Sequence, residues 1–281
     1  MTDAGTGQPR SDEIDESTVA HSNSQGAHRA RRPRPRATLV SVLGELLITA
    51  GVLVLLFIGW QLWWNDWITA TQQTSAAADQ SQKWIEQSRA TEHPDPTAAP
   101  TTTPIADPPV LAAPAEGKAF GVLYVPRFGD TYQRNIAQGA GLDVLNSTKL
   151  GIGHYPDTQM PGQVGNFAIA SHRSAYGGGM HVLNEFQLGD PIIVQTQDGW
   201  YTYRFRNLQY VTADHVEVLN AVPTVDGATP TDRIITLTTC NPLYSTAERM
   251  IAYGVFDDFR PTSAGPPDAI AGLVAAQASA G

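Results

Sequence analysis

One cysteine, Cys240, stands in a chain of 281 residues, so an internal disulfide is excluded. In an exported protein a lone thiol is an intermolecular crosslink, an inert buried residue or a nucleophile. Basic residues are scarce too. Eighteen Lys and Arg against 27 Asp and Glu leave a net charge of −9, which argues against nucleic acid as a partner. No internal repeat is present. Metal-ligand spacing is missing as well: His181 follows a glycine run, and His215 beside Asp214 has no second ligand. No dedicated calcium loop occurs, and the carboxylates Glu185, Asp190, Asp257 and Asp258 read as solvated turn or edge charges. No metal and no cofactor is therefore expected.

Long apolar runs are limited to one. Residues 38–60 (TLVSVLGELLITAGVLVLLFIGW) are 23 nearly unbroken apolar positions. As a helix they extend about 35 Å, enough to cross a bilayer with some tilt. Arg29, Arg31, Arg32, Arg34 and Arg36 precede the run; Trp60, Trp63, Trp64 and Trp67 follow its core. Basic residues mark the cytoplasmic flank and tryptophans an interface, so the N-terminus is expected inside and the bulk of the chain outside. A cleaved signal peptide has a shorter core and a small-residue cleavage site, neither of which fits here. A buried soluble helix would show a polar face, which the run lacks. Glu45, near the cytoplasmic end of the span, reads as snorkelling or pairing with the arginines.

Composition divides the rest. Residues 1–36 read as a disordered cytoplasmic tail. Residues 37–67 are the signal anchor with its tryptophan segment. Residues 68–115 form a linker: a short helical pattern over 75–90, around Trp84, then a Pro/Thr/Ala-rich spacer over 91–114 that would hold a domain off the membrane. Residues 116–260 are one domain of ordinary size. Residues 261–281, rich in Pro, Ala, Gly and Ser, read as a disordered tail.

Within the domain the period is two. Strands are expected at 120–125, 166–171, 191–196, 200–205, 209–212, 234–239 and 250–256. Asp198-Gly199 between two alternating runs is a hairpin signal. Trp200, Tyr201, Tyr203 and Phe205 are assigned to barrel wall. Many short strands punctuated by Gly and Pro, with brief helices, indicate a mainly β fold, a closed or nearly closed barrel.

Cys240 ends the run Ile234-Ile235-Thr236-Leu237-Thr238-Thr239-Cys240, and Pro242 stops the strand. Alternation puts Cys240, Thr238 and Thr236 on one face. A thiol at a strand end, beside a loop, is a candidate nucleophile that needs a proton-accepting or cationic neighbour. His172 also follows a strand and shares a face with the small residues Ala168 and Ala170. Arg249 opens the final strand, and its guanidinium suits an acyl oxygen or a peptide carbonyl. Spacing alone makes this triad only suggestive. Thr238 and Thr239 are candidates for orienting substrate, and Tyr244, whose loop passes Cys240, for facing it; simple loop packing is the equal alternative for Tyr244. His154 lies in a Gly/Pro-rich loop and is read as satisfied by backbone rather than catalytic.

The string Thr236-Leu237-Thr238-Thr239-Cys240 resembles the signature of sortases, cysteine transpeptidases of Gram-positive cell surfaces. Residues 153–173, ending in His172-Arg173, are similar to that family's histidine block. Glu248-Arg249-Met250-Ile251-Ala252-Tyr253-Gly254 resembles its arginine block. The details look most like class E sortases of high-GC Gram-positive bacteria, with Ser171 a departure where many relatives have Gly. The resemblance implies a sortase barrel of about eight strands after one transmembrane helix. It implies that Cys240 cleaves a C-terminal LPXTG- or LAXTG-type sorting signal between Thr and Gly. The partners implied are surface proteins bearing such signals and a lipid-linked peptidoglycan precursor that supplies the acceptor amine. A pilus-polymerising sortase is the alternative within the family; those enzymes often carry a second C-terminal span, for which the tail here is too short. An L,D-transpeptidase would place His and Gly just before the cysteine. An anchored binding module would have no need of a sole thiol at a strand end.

Overall fold

The structure is a computed structural model that describes residues 38–60, 64–91 and 107–279. The expected cytoplasmic tail and most of the Pro-rich spacer lie outside the described residues. The chain divides into two units, Met1–Ala50 and Gly51–Gly281. Helix α1 (Leu39–Gly59) is apolar and exposed along its length, and it is long enough to span a bilayer.

Eight strands form a closed barrel: β1 (Ala119–Tyr124), β2 (Gln133–Gln138), β3 (Gly151–His154), β4 (Gly165–Ser171), β5 (Pro191–Gln195), β6 (Gly199–Thr212), β7 (Arg233–Asn241) and β8 (Glu248–Pro261). Their spatial order is β1-β2-β3-β4-β7-β8-β6-β5, and β5 closes onto β1. The pairs β2/β3 and β4/β7 are parallel; all others are antiparallel. A parallel pair needs a long crossover. The β5–β6 hairpin and its following loop supply it between β4 and β7. That crossover makes the strand ends carrying His172 and Cys240 point the same way.

The hairpin expected at Asp198-Gly199 is present, with Gln195 opposite Trp200. The runs 200–205 and 209–212 are one strand, β6, irregular between Phe205 and Asn207. Strands β2 and β3 escaped the sequence reading: Gln133-Arg134-Asn135-Ile136-Ala137-Gln138 has no apolar alternation, yet every residue in it is buried.

Alternation sorts the side chains. The interior holds Ile136, Ile152, Phe167, Ile169, Ile235, Leu237, Met250, Tyr201, Tyr203 and Phe205 among others. Part of the outer face is apolar as well. Val122, Tyr124, Ile193 and Trp200 lie under two helices, α2 (Asn65–Thr91) and α4 (Asp268–Ala278), through Ala77, Trp84, Ile85, Ile270 and Val274. Trp200 is thus outer wall, while Tyr201, Tyr203 and Phe205 are lumen.

One expectation needs correction here, and one helix whose placement the sequence left open finds its place. The segment read as a linker begins with a 27-residue helix packed on the barrel. The segment's end is tied down: Tyr201 donates to the Pro109 carbonyl at 2.6 Å, and Arg233 pairs with Asp107 at 2.6 Å. The segment read as a disordered tail contains α4 (Asp268–Ala278), with Ile270 3% exposed. A Pro/Ala/Gly-rich stretch folds here because two apolar residues at i and i+4 find a docking surface.

Candidate active site

Strands β4, β7 and β8 lie side by side, and their register assembles the site. In the parallel pair Ala170 is opposite Thr238, and in the antiparallel pair Cys240 is opposite Arg249. Two residues beyond Ala170, His172 leaves β4 level with Cys240, on a backbone about 4.8 Å away. The Thr239 hydroxyl fastens the two strand ends by donating to the Ser171 carbonyl at 2.8 Å. Ile169, Leu237 and Met250 point into the core. By alternation His172, Cys240 and Arg249 all face outward. The three candidates therefore occupy one outer wall of the barrel at its strand ends.

The imidazole is half-buried, and its Nε2 lies 2.8 Å from Asn146 Oδ1. A carbonyl oxygen only accepts, so Nε2 carries the proton and Nδ1 is left as the acceptor. Asn146 follows a one-turn helix, α3 (Leu142–Leu145). The ring of Tyr176 packs against His172, centroids 5.2 Å apart at 33°. Burial pushes the His172 pKa below its ordinary value, partly opposed by the negative charge of Asp66. Cys240 is a free thiol, partly exposed. Arg249 Nη1 donates to the carbonyls of Thr246 and Glu248, each at 2.9 Å, so the β7–β8 loop holds the guanidinium.

A second polar group braces the same strand ends. Arg173 donates to Asn241 Oδ1 and, at 3.2 Å, to Asn184 Oδ1. Asn241 in turn donates to Glu248 Oε2 at 2.7 Å. Arg173, Asn241 and Glu248 are chain neighbours of His172, Cys240 and Arg249 in turn. Neither this brace nor Asn146 was anticipated from sequence. A turn asparagine carries no periodic signal, and the brace joins residues up to 68 positions apart.

The substrate-orienting candidates separate. Thr238 shares the outer face with Cys240, is 5% exposed, and lies 3.0 Å from the Tyr155 hydroxyl. Thr239 is opposite Met250 and faces the core with its hydroxyl engaged. It faces away from the wall that carries Cys240. Tyr244 is 67% exposed with φ of 65°. It lines a cavity of about 810 Å3 with Leu243, His181, Trp64, Trp67 and Ala70. This cavity opens between the loops that follow His172 and Cys240.

Among the described residues the three other histidines are engaged by partners outside the triad. His154 sits on β3 rather than in a loop, fully buried, bonded to Gln138 Oε1 at 2.8 Å and near the Gln159 carbonyl and Thr158 hydroxyl at 3.0 Å. Burial pushes its pKa down to about 4. His181 bonds the Arg173 carbonyl, and His215 bonds Glu217. Asp214 accepts from Thr212.

The profile of the Sortase domain matches residues 123–257. Sortase SrtE1 of Streptomyces coelicolor is 33% identical over 248 residues, which are 86% of this chain and 64% of that protein. The chain thus spans under two thirds of that relative's length. Sortase SrtE2 of the same organism is 32% identical over 82% of this chain and 87% of its own. Among solved structures, the SrtA sortase from Actinomyces oris superposes with a TM-score of 0.56 at 36% identity, covering 60% of this chain and 96% of that one.

Proposed function

This chain belongs to the sortase family, with relatives of the E type, and from that premise we propose that it is a membrane-anchored cysteine transpeptidase working from the triad His172, Cys240 and Arg249. The substrate is a protein ending in an LPXTG- or LAXTG-type sorting signal. Cys240 Sγ attacks the carbonyl carbon of the Thr–Gly bond while its proton passes to His172 Nδ1. The Arg249 guanidinium stabilises the developing oxyanion or holds the peptide carbonyl. His172 then returns the proton to the departing glycine amine, the C–N bond breaks, and a thioester to the substrate threonine remains. An amine on a lipid-linked peptidoglycan precursor attacks the thioester, loses its proton to His172, and leaves the surface protein on a cell-wall precursor with the thiol restored.

The observation that carries this reading is the register of three adjacent strands, which brings a thiol, an imidazole and a guanidinium to one outer wall. The test is steady-state cleavage of a sorting-signal peptide. Cys240→Ala should abolish it, and turnover persisting in that variant contradicts the assignment.

The anchor is proposed to run with the arginine cluster inside and the barrel outside, as flanking charge favours. Protease added to intact protoplasts should cut the catalytic domain and spare the N-terminal tail. The reverse pattern contradicts this orientation.

A further inference from the structure

Helix α2 enters the neighbourhood of His172 through two side chains. Gln73 is fully buried. Its Nε2 donates to the Ser147 carbonyl at 2.8 Å and to the Tyr176 carbonyl at 3.0 Å. Ser147 adjoins Asn146, whose oxygen bonds the imidazole, and Tyr176 carries the ring packed on it. One amide group thus ties together both contacts that orient His172. Asp66, in the first turn of the helix, accepts from the Ala175 N–H at 2.9 Å and the Gly177 N–H at 3.5 Å.

The loop between these contacts needs holding. Ala175, Tyr176, Gly177 and Gly178 all have positive φ, at 72°, 50°, 86° and 48°. Side chains rarely adopt that conformation, and it persists where surrounding contacts over-determine it. The backbone also makes room for the amide. A Cβ on Gly177 or on Gly151 would come within 2.6 Å of the Gln73 side chain. Gln73 Oε1 has no hydrogen-bond partner among the described residues. A buried amide with half its capacity unused is a poor choice for stability, since an apolar residue of the same size would avoid the desolvation cost. Its two donated bonds are what such a residue would lack.

We propose that the helix following the membrane span is part of the catalytic unit, and that Gln73, assisted by Asp66, is a positioning residue that holds the His172 imidazole in its working orientation. The inference rests on His172 being the proton-transfer group of the reaction above. The charged or titratable groups around the imidazole are Asp66 from α2, Cys240 from β7, Arg249 from β8, and Arg173 and Tyr176 from its own loop.

The test uses the full chain in detergent micelles with Gln73→Leu. Cleavage of a sorting-signal peptide should lose on the order of tenfold to a hundredfold in kcat, the scale of a misoriented catalytic group, with KM little changed. The His172 resonance, followed by NMR in histidine-labelled chain, should titrate at higher pH than in the parent as the ring gains solvent. Gln82→Leu is the control. Gln82 also lies on α2 but donates to the Val274 carbonyl of α4, so kcat and the His172 titration should match the parent. An unchanged His172 titration in Gln73→Leu overturns the inference whether or not the peptide is cleaved. If Gln73→Leu does not fold, Asp66→Ala decides: it should lower kcat at an unchanged thermal midpoint, and a parental kcat overturns the inference. A parent chain that never cleaves the peptide refutes the proposed reaction instead, and the titration still reads the positioning.

Discussion

Thr238 and Thr239 point to opposite faces of β7, and that alternation separates their roles. Thr239→Val removes a bond to the Ser171 carbonyl inside the barrel. It should cost about 1 kcal/mol of stability in denaturant unfolding and leave the KM for a sorting peptide unchanged. Tyr244→Ala, on an exposed side chain beside the cavity, should do the opposite: stability unchanged and KM raised. His154 gives a pH signature. Its folded pKa of about 4 lies below the ordinary 6.5, so below pH 6.5 the unfolded chain binds a proton that the folded chain refuses. Stability is therefore whole above pH 6.5 and is lost as pH falls toward 4, by on the order of 3 kcal/mol. Replacing His154 by Gln should flatten that part of the pH–stability curve; an unaltered slope contradicts the account. The placement of Cys240, His172 and Arg249 at or beside strand ends was legible in sequence because each lies within a motif. Asn146 and Gln73 were not, because they act through contacts 26 and 103 residues away, and no local pattern encodes such contacts.

At the scale of elements, α2 shows why a real helix went half unseen. Its buried positions are Thr69, Gln73, Ala77, Ser81, Trp84 and Ile85. The spacing follows a helical period, but four of the six are polar or small, so no hydrophobic stripe appears until Trp84. Small residues let the helix lie close to the sheet, and Gln73 turns that closeness into two hydrogen bonds. The α4 helix was missed for another reason. Its composition resembles a flexible tail, and its docking depends chiefly on Ile270 and Val274. Ile270→Ala should destabilise the folded domain by about 2–4 kcal/mol, read as a shift of the denaturant midpoint. A midpoint identical to the parent would mean that α4 is not docked.

For the whole molecule, the long apolar helix, the β class and the closed barrel follow from patterns that span many residues: one long apolar run and period-two alternation. The helical layer outside the barrel did not follow, because partners distant in sequence create it. The proposed function draws on both. The parallel β4/β7 pair brings imidazole and thiol together, and the antiparallel β7/β8 pair adds the guanidinium. The central claim is that Cys240 carries the substrate covalently. The most direct measurement is the intact mass of the full chain after mixing with a peptide that contains Leu-Ala-X-Thr-Gly and continues beyond the glycine. The account predicts a gain equal to the peptide through its threonine less one water, mapped to Cys240, discharged by an added amine and absent from Cys240→Ala. An adduct that survives Cys240→Ala, or cleavage of the peptide with no adduct at Cys240 under any trapping condition, would contradict it.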